Sequence, residues 1–223
     1  MATIKEVKLN DHSDGGSDNP LEEAVVVQVR DLIGSDVLTL TEYVIPDGEE
    51  DVSIQLFSSG MEEETVDEPI IISTFGAGAI KTKGEIQIDE KKVPYRAEFY
   101  ALTETKEESI LLGQALSQLA FIVYKNEQMF APGMIVAGVL PVGLERFTHL
   151  YLTPAPLGKH KEIAISPLIA GEEFAIMWVN AFPITEAEAE AINTSDESNT
   201  KFVNFIEGLG NKAYSLEREI FAA

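Results

Sequence analysis

The sequence predicts a mixed α/β (α+β) domain spanning 1–223, with a mixed, largely antiparallel sheet and helices packed against it. Three observations lead there. Short runs rich in β-branched and aromatic residues recur between turn signals, at 37–44, 52–57, 70–75 and 95–102. Two Thr-x-x-Glu sequences, at Thr105/Glu108 and Thr185/Glu188, each open a stretch that reads as helix. With 223 residues, 45% of them hydrophobic, the chain can bury one sizeable core.

Residues 1–19 read as a flexible segment, because DHSDGGSDN at 11–19 offers nothing to bury and several turn formers. Asn19 then caps a predicted helix with Pro20, Leu21, Glu22 and Glu23 in its first turn. Ala24, Val25, Val29, Leu32 and Ile33 form its apolar stripe, and Gly34 ends it. In the strand at 52–57, Val52, Ile54 and Leu56 alternate with Ser53, Gln55 and Phe57, the two-residue period of a sheet. Pro46-Asp47-Gly48 turns the chain between this strand and the one before, so the early sheet is antiparallel. Acidic residues gather on the connections, at Glu49, Glu50 and Asp51 and again at Glu62, Glu63, Glu64, Asp67 and Glu68. They read as solvated loops or as a recognition rim.

The clearest helix covers 106–124. Thr105 and Glu108 form a capping box, and Ile110, Leu111, Ala115, Leu116, Leu119, Ile122 and Val123 recur at helical spacing. A crossing rich in Gly and Pro follows, with Pro132, Gly133, Gly138, Pro141 and Gly143. Strands are predicted beyond it at 147–153, 163–168 and 174–181. The Thr185/Glu188 box starts a short helix rich in Ala and Glu, and Phe202, Val203, Phe205, Ile206 and Leu209 mark another. No internal repeat occurs.

Charge narrows the range of partners. Against 38 acidic residues stand 16 basic ones, a net charge of -22. Nucleic acid is excluded as a partner, since binding a phosphate backbone needs Lys and Arg to displace counterions. A basic protein would be drawn in by the same field, although acidity also serves solubility. The N-terminal residues lack the apolar stretch of a signal peptide, and no run of about 18 apolar residues occurs, so a soluble, cytoplasmic protein without membrane contact is expected. The absence of cysteine removes disulfides, iron–sulfur clusters and thiolate zinc sites.

The chemical motifs fail one by one, and no cofactor or metal is expected. In Phe75-Gly76-Ala77-Gly78-Ala79-Ile80-Lys81-Thr82 a Walker loop would need Gly where Ile80 stands, and a dinucleotide fingerprint would need Gly where Lys81 stands. His12, His149 and His160 are far apart in sequence, and alternation places His149 with Phe147 and Tyr151 as a packed strand histidine. No Gly-x-Ser-x-Gly elbow is present. A carboxylate-dependent hydrolase remains as the alternative, and convergence of Glu98, His149 and another acid would favour it. Trp178, the only tryptophan, lies in an apolar run and reads as core.

Pro94-Tyr95-Arg96-Ala97-Glu98-Phe99 is the cluster of most interest. Two residues apart on a strand, Arg96 and Glu98 share a face and form a structural polar pair, while Tyr95, Ala97 and Phe99 face the other way.

The order of these segments resembles the suppressor of fused family over residues 21–221. The similar elements are Phe75-Gly76, the Pro94 to Phe99 run before a long helix, Pro132-Gly133 after it, and Phe147-Thr148-His149-Leu150-Tyr151-Leu152 ending in Pro154 and Pro156. Further on come Pro167-Leu168-Ile169 with Glu172-Glu173, then Ala181-Phe182-Pro183-Ile184-Thr185 with Glu186 and Glu188, and finally Leu216-Glu217-Arg218. The resemblance implies helices on a sheet and a protein-binding role without enzymatic activity. Animal members restrain transcription factors in Hedgehog signalling. The shorter chain resembles the bacterial members, which look like immunity proteins or antitoxins that neutralise toxins, many of them basic nucleases. On this reading the partner is a basic toxin protein. Glu62, Glu63, Glu64, Asp67 and Glu68 form its contact, with Glu186 and Glu188 as secondary candidates.

Overall fold

Period-two alternation and one tight turn organise the first half of the sheet. The computed structural model describes residues 3–9, 38–48, 50–59, 69–75, 77–80, 82–88, 90–153 and 175–222. Strands β1 (Thr3–Leu9), β2 (Leu38–Asp47), β3 (Glu50–Ser59) and β4 (Ile70–Phe75) pair in succession, each antiparallel to the last. The β2–β3 register runs out to Asp47↔Glu50, and Gly48 takes up the positive φ of 70° that the reversal requires. Thr3–Leu9, expected to be flexible, forms an edge strand whose register with β2 continues from Thr3↔Val44 to Leu9↔Leu38. The helix expected at 20–33, the strand expected at 163–168 and the acidic run at 62–68 lie outside the described residues.

The long strand β6 (Lys91–Thr103) is the centre of the sheet. Its first residues pair with the short β5 (Glu85–Ile88), its last with β4, and Tyr95 to Tyr100 run parallel to β9 (Ala175–Ile184). β8 (His149–Thr153) and β7 (Ile135–Ala137) complete the far side. Among the described residues the order is therefore β1-β2-β3-β4-β6-β9-β8-β7 with β5 attached to β6, a mixed sheet in which only the β6–β9 pairing is parallel.

Helix α1 (Lys106–Asn126) crosses one face. Thr105 accepts from the Glu108 N–H at 3.2 Å and the Glu108 side chain accepts from the Thr105 N–H, the capping box read from sequence. Leu112, Ala115, Leu116, Leu119, Ala120 and Val123 are buried at helical spacing against Tyr95, Ala97, Phe99 and Ala101 of β6, Val179 and Ala181 of β9, and Leu150 and Leu152 of β8. A Cβ on Gly113 would lie 2.3 Å from the Tyr43 hydroxyl, so the absence of a side chain lets α1 sit this close to β2.

Alternation sends Phe182 and Ile184 of β9 and Tyr151 of β8 to the opposite face. There they pack with α2 (Glu186–Thr194) and α3 (Asp196–Leu209) through Ala189, Ile192, Phe202 and Ile206. Helices thus cover both faces. Trp178 is buried, as expected.

Candidate functional site

Two buried polar stations on the α2/α3 face decide which of the charged residues can meet a partner. The first surrounds Gly78. Arg96 and Glu98 alternate onto this face of β6, 7% and 0% exposed, while Tyr95, Ala97 and Phe99 face α1. The two meet at Gly78 in the 3-10 turn Ala77–Ala79: Arg96 Nη1 donates to the Gly78 carbonyl at 3.3 Å, and Gly78 N–H donates to Glu98 Oε1 at 2.8 Å. The other carboxylate oxygen accepts from the Thr74 hydroxyl at 2.5 Å. That hydroxyl also accepts from Phe99 N–H at 2.9 Å, replacing the ladder bond lost where β4 parts from β6 beyond Ser73↔Tyr100. A Cβ on Gly78 would lie 3.1 Å from Glu98 Oε1, so the turn presses against the carboxylate. This arrangement fastens a turn to a sheet; it exposes no reacting group.

One row further along, Ser73, Tyr100, Asn180 and Thr153 stand side by side across β4, β6, β9 and β8, and all four are buried. Burial pushes the Tyr95 and Tyr100 hydroxyls well above their usual range and Tyr214 up to about 12, so none of them ionises near neutrality. The Tyr100 hydroxyl, the Asn180 NH2 and the Trp178 N–H are buried donors with no hydrogen-bond partner among the described residues.

The second station is at the start of α2. Glu188 Oε2 accepts from Thr185 N–H at 2.9 Å and completes the capping box. Arg218 grips the same carboxylate with both terminal nitrogens, at 2.7 and 2.9 Å, and also donates to the carbonyls of Pro183 and Glu219 at 3.0 and 2.9 Å. Its guanidinium lies between the rings of Phe147 and Phe182, 5.2 and 5.0 Å from their centroids. Burial by itself would raise the Glu188 pKa. The hydrogen bonds from Arg218, Thr185 N–H and Phe221 N–H, with the Arg218 charge, outweigh it and hold the carboxyl below its usual range.

These geometries sort the expected partner-binding residues. Glu62, Glu63, Glu64, Asp67 and Glu68 lie outside the described residues. Glu186, at the first turn of α2, is 66% exposed and 3.6 Å from His149 Nδ1. Glu188 is 0% exposed, so it is corrected from a surface candidate to an internal ion-pair and capping residue. The capping box in the sequence was the signal for this, since an acid committed to a helix start is already engaged. Arg218 entered the sequence reading only within the Leu216-Glu217-Arg218 resemblance, and its ion pair went unread because the partner is thirty positions away.

His149 opens β8 rather than lying inside a strand with Phe147, and Thr148 Oγ1 is 2.8 Å from its Nδ1. Glu98 pairs with Trp178 and His149 with Ile184, six residues along β9, which separates them by roughly 20 Å. Glu98 and His149 therefore do not converge. Among the described residues no three His, Asp or Glu side chains gather as metal ligands, and no helix is long and apolar enough to cross a membrane.

Comparison with known proteins agrees with this architecture. No curated protein matches the chain by sequence. Among solved structures, Drosophila Suppressor of Fused superposes with a TM-score of 0.54 at 8% identity, over 90% of this chain and 51% of that one. The chain thus spans about half the length of that relative. A Sufu-Fu complex superposes with a TM-score of 0.53 at 10% identity, over 90% of this chain and 91% of the matched one. The family model for Suppressor of fused protein (SUFU) matches residues 48–219. Matched over most of its length, the chain belongs to the suppressor of fused family.

Proposed function

We propose that this chain is a non-enzymatic, cytoplasmic protein-binding domain of the bacterial immunity-protein kind, which neutralises a basic toxin by capturing it on an acidic surface. The observation that carries the reading is the charge: -22 overall, with the two most deeply buried carboxylates, Glu98 and Glu188, already spent on internal contacts. Acids at the surface can act outward. In the stretch from Glu186 to the C-terminus, Glu186, Glu190, Asp196, Glu197, Glu207, Glu217 and Glu219 are exposed against Lys201 and Lys212. Clustered carboxylates of this kind raise the encounter rate with a positive surface. The acidic run Glu62, Glu63, Glu64, Asp67 and Glu68 is the proposed contact, with Glu186 as a further one. A relative solved in a Sufu-Fu complex supports a protein as partner.

The test is association with the product of the adjacent reading frame. Binding that weakens with salt, together with protection of cells from that product, supports the reading. Charge reversal at 62–64 separates two roles for the run, since a steering rim lowers the on-rate and a buried contact raises the off-rate.

A further inference from the structure

Residues 215–222 follow the 3-10 turn Gly210–Tyr214 and contain neither helix nor strand. Beginning with a turn over Ser215–Arg218, in which Arg218 N–H donates to the Ser215 carbonyl at 3.1 Å, this strap lies across the starts of α1 and α2 and is held in the manner of a bound peptide. Its backbone is read by side chains. Leu216 N–H donates to Glu108 Oε1 at 2.9 Å, and Phe221 N–H donates to Glu188 Oε1 at 3.0 Å. Arg146 donates to the Leu216 and Arg218 carbonyls at 3.3 and 2.7 Å. Both capping-box glutamates therefore do two jobs: Oε2 closes the helix start and Oε1 holds the strap.

Two side chains anchor the strap. Arg218 fills the pocket of Glu188, Phe147 and Phe182, and the Phe221 ring packs on Phe202 and Phe205 at centroid distances of 5.7 and 5.5 Å. Beneath it a crevice of about 10 Å³ remains, lined by Tyr214, Ser215, Leu216 and Arg218 on the strap side. Asn180, with its unpartnered NH2, lines the sheet side.

We propose that the strap is a pseudo-ligand, and that its groove is a receptor for a partner segment that makes the same turn and bears an arginine and, three residues on, an aromatic side chain. The inference rests on the protein-binding reading above and deepens it by naming what is bound. Four of the groove's contacts are to backbone atoms and so would serve any peptide that makes the same turn. The arginine pocket supplies the selectivity, because a planar guanidinium satisfies a carboxylate, a carbonyl and two ring faces together. Glu217 and Glu219 are exposed acids in the strap, so a basic segment bearing the same anchors would suit this acidic chain better than the strap does. Held by side-chain contacts rather than by a sheet or helix ladder, the strap can open locally without unfolding the sheet.

The experiment titrates a labelled SLEREIFA peptide into the full-length protein and reads fluorescence anisotropy. If the strap occupies the groove about 99% of the time, apparent affinity for a peptide in trans is depressed about a hundredfold. Arg218→Ala, or Phe221→Ala should the first variant fail to fold, frees the groove and tightens peptide binding at least about tenfold. A peptide with Ala in place of the arginine gains nothing, and one with Lys at both Glu positions binds tighter still. No gain in either variant, or an equal gain for the arginine-free peptide, overturns the proposal. Should that happen while a basic partner protein still associates, the groove assignment fails alone; failure of any basic protein to associate removes the protein-binding reading itself.

Discussion

Removing the Arg218 side chain should be among the most damaging single changes in this molecule. Arg218 and Glu188 are 1% and 0% exposed, and the guanidinium supplies two of the carboxylate's hydrogen bonds together with its counter-charge. Without it, and with the strap still docked, Glu188 keeps only the N–H groups of Thr185 and Phe221 and no balancing charge, a cost the strap escapes only by leaving the groove. Stripping one partner from a buried pair costs about 3–5 kcal/mol, against a total stability of about 5–15 kcal/mol for a domain. Arg218→Ala is therefore expected to lose about a fifth or more of the folding free energy. Glu188→Ala removes the charge but also a helix cap worth about 0.5–2 kcal/mol. In Arg218→Ala/Glu188→Ala the stranded carboxylate is gone, so the double variant should be more stable than the sum of the single losses implies, by about 2 kcal/mol. Urea unfolding at neutral pH, with equal slopes checked across the four proteins, measures the cycle. Additivity to within about 0.5 kcal/mol would refute the claim that the pair acts as one unit.

The same carboxylate makes stability depend on pH. Glu188 is held below its ordinary value of 4.5, so its contribution is complete above that pH and is lost as pH falls through the lower folded-state value. The gap in unfolding midpoint between wild type and Glu188→Gln should accordingly narrow on acidification below about 4.5, and a gap independent of pH would argue against it. Leu116, 1% exposed in the α1 seam, should cost about 2–5 kcal/mol when changed to Ala, and an unchanged unfolding midpoint would contradict the packing of α1 on the sheet. Arg96→Ala and Glu98→Ala should be non-additive by more than about 0.5 kcal/mol, since both side chains hold Gly78. Independent effects in that cycle would dissolve the station.

What the sequence made legible was local. Capping boxes at Thr105 and Thr185 announce their helices because a short side chain and an acid three residues on satisfy the first free N–H groups, wherever the helix sits. Alternation in β6 likewise separated Arg96 and Glu98 from Tyr95, Ala97 and Phe99, and Pro46-Asp47-Gly48 located the hairpin. Long-range relations left no such mark. The parallel β6–β9 pairing joins segments about eighty residues apart, and nothing in either strand names the other. β5 and β7, at four and three residues, are too short to show a period. Glu188 was misplaced on the surface because composition counts charges without regard to partners, and Arg218 closes on it from the far end of the chain. Gly78 stood in the sequence as part of a failed phosphate loop; its real role, a bare Cα against Glu98, follows only from the fold.

The central claim is that the acidic exterior of this suppressor of fused family member captures a basic protein. Stopped-flow association with the purified product of the adjacent reading frame, repeated from low to physiological and higher salt, tests it most directly. At physiological ionic strength the screening length is about 8 Å, and it shortens further as salt rises, so an encounter steered by charge slows steeply along the series. The account predicts a high association rate at low salt that falls with added salt, and a lower rate at every salt concentration for the variant reversed at Glu62, Glu63 and Glu64. No association at any salt concentration, or a rate indifferent to salt, would contradict it.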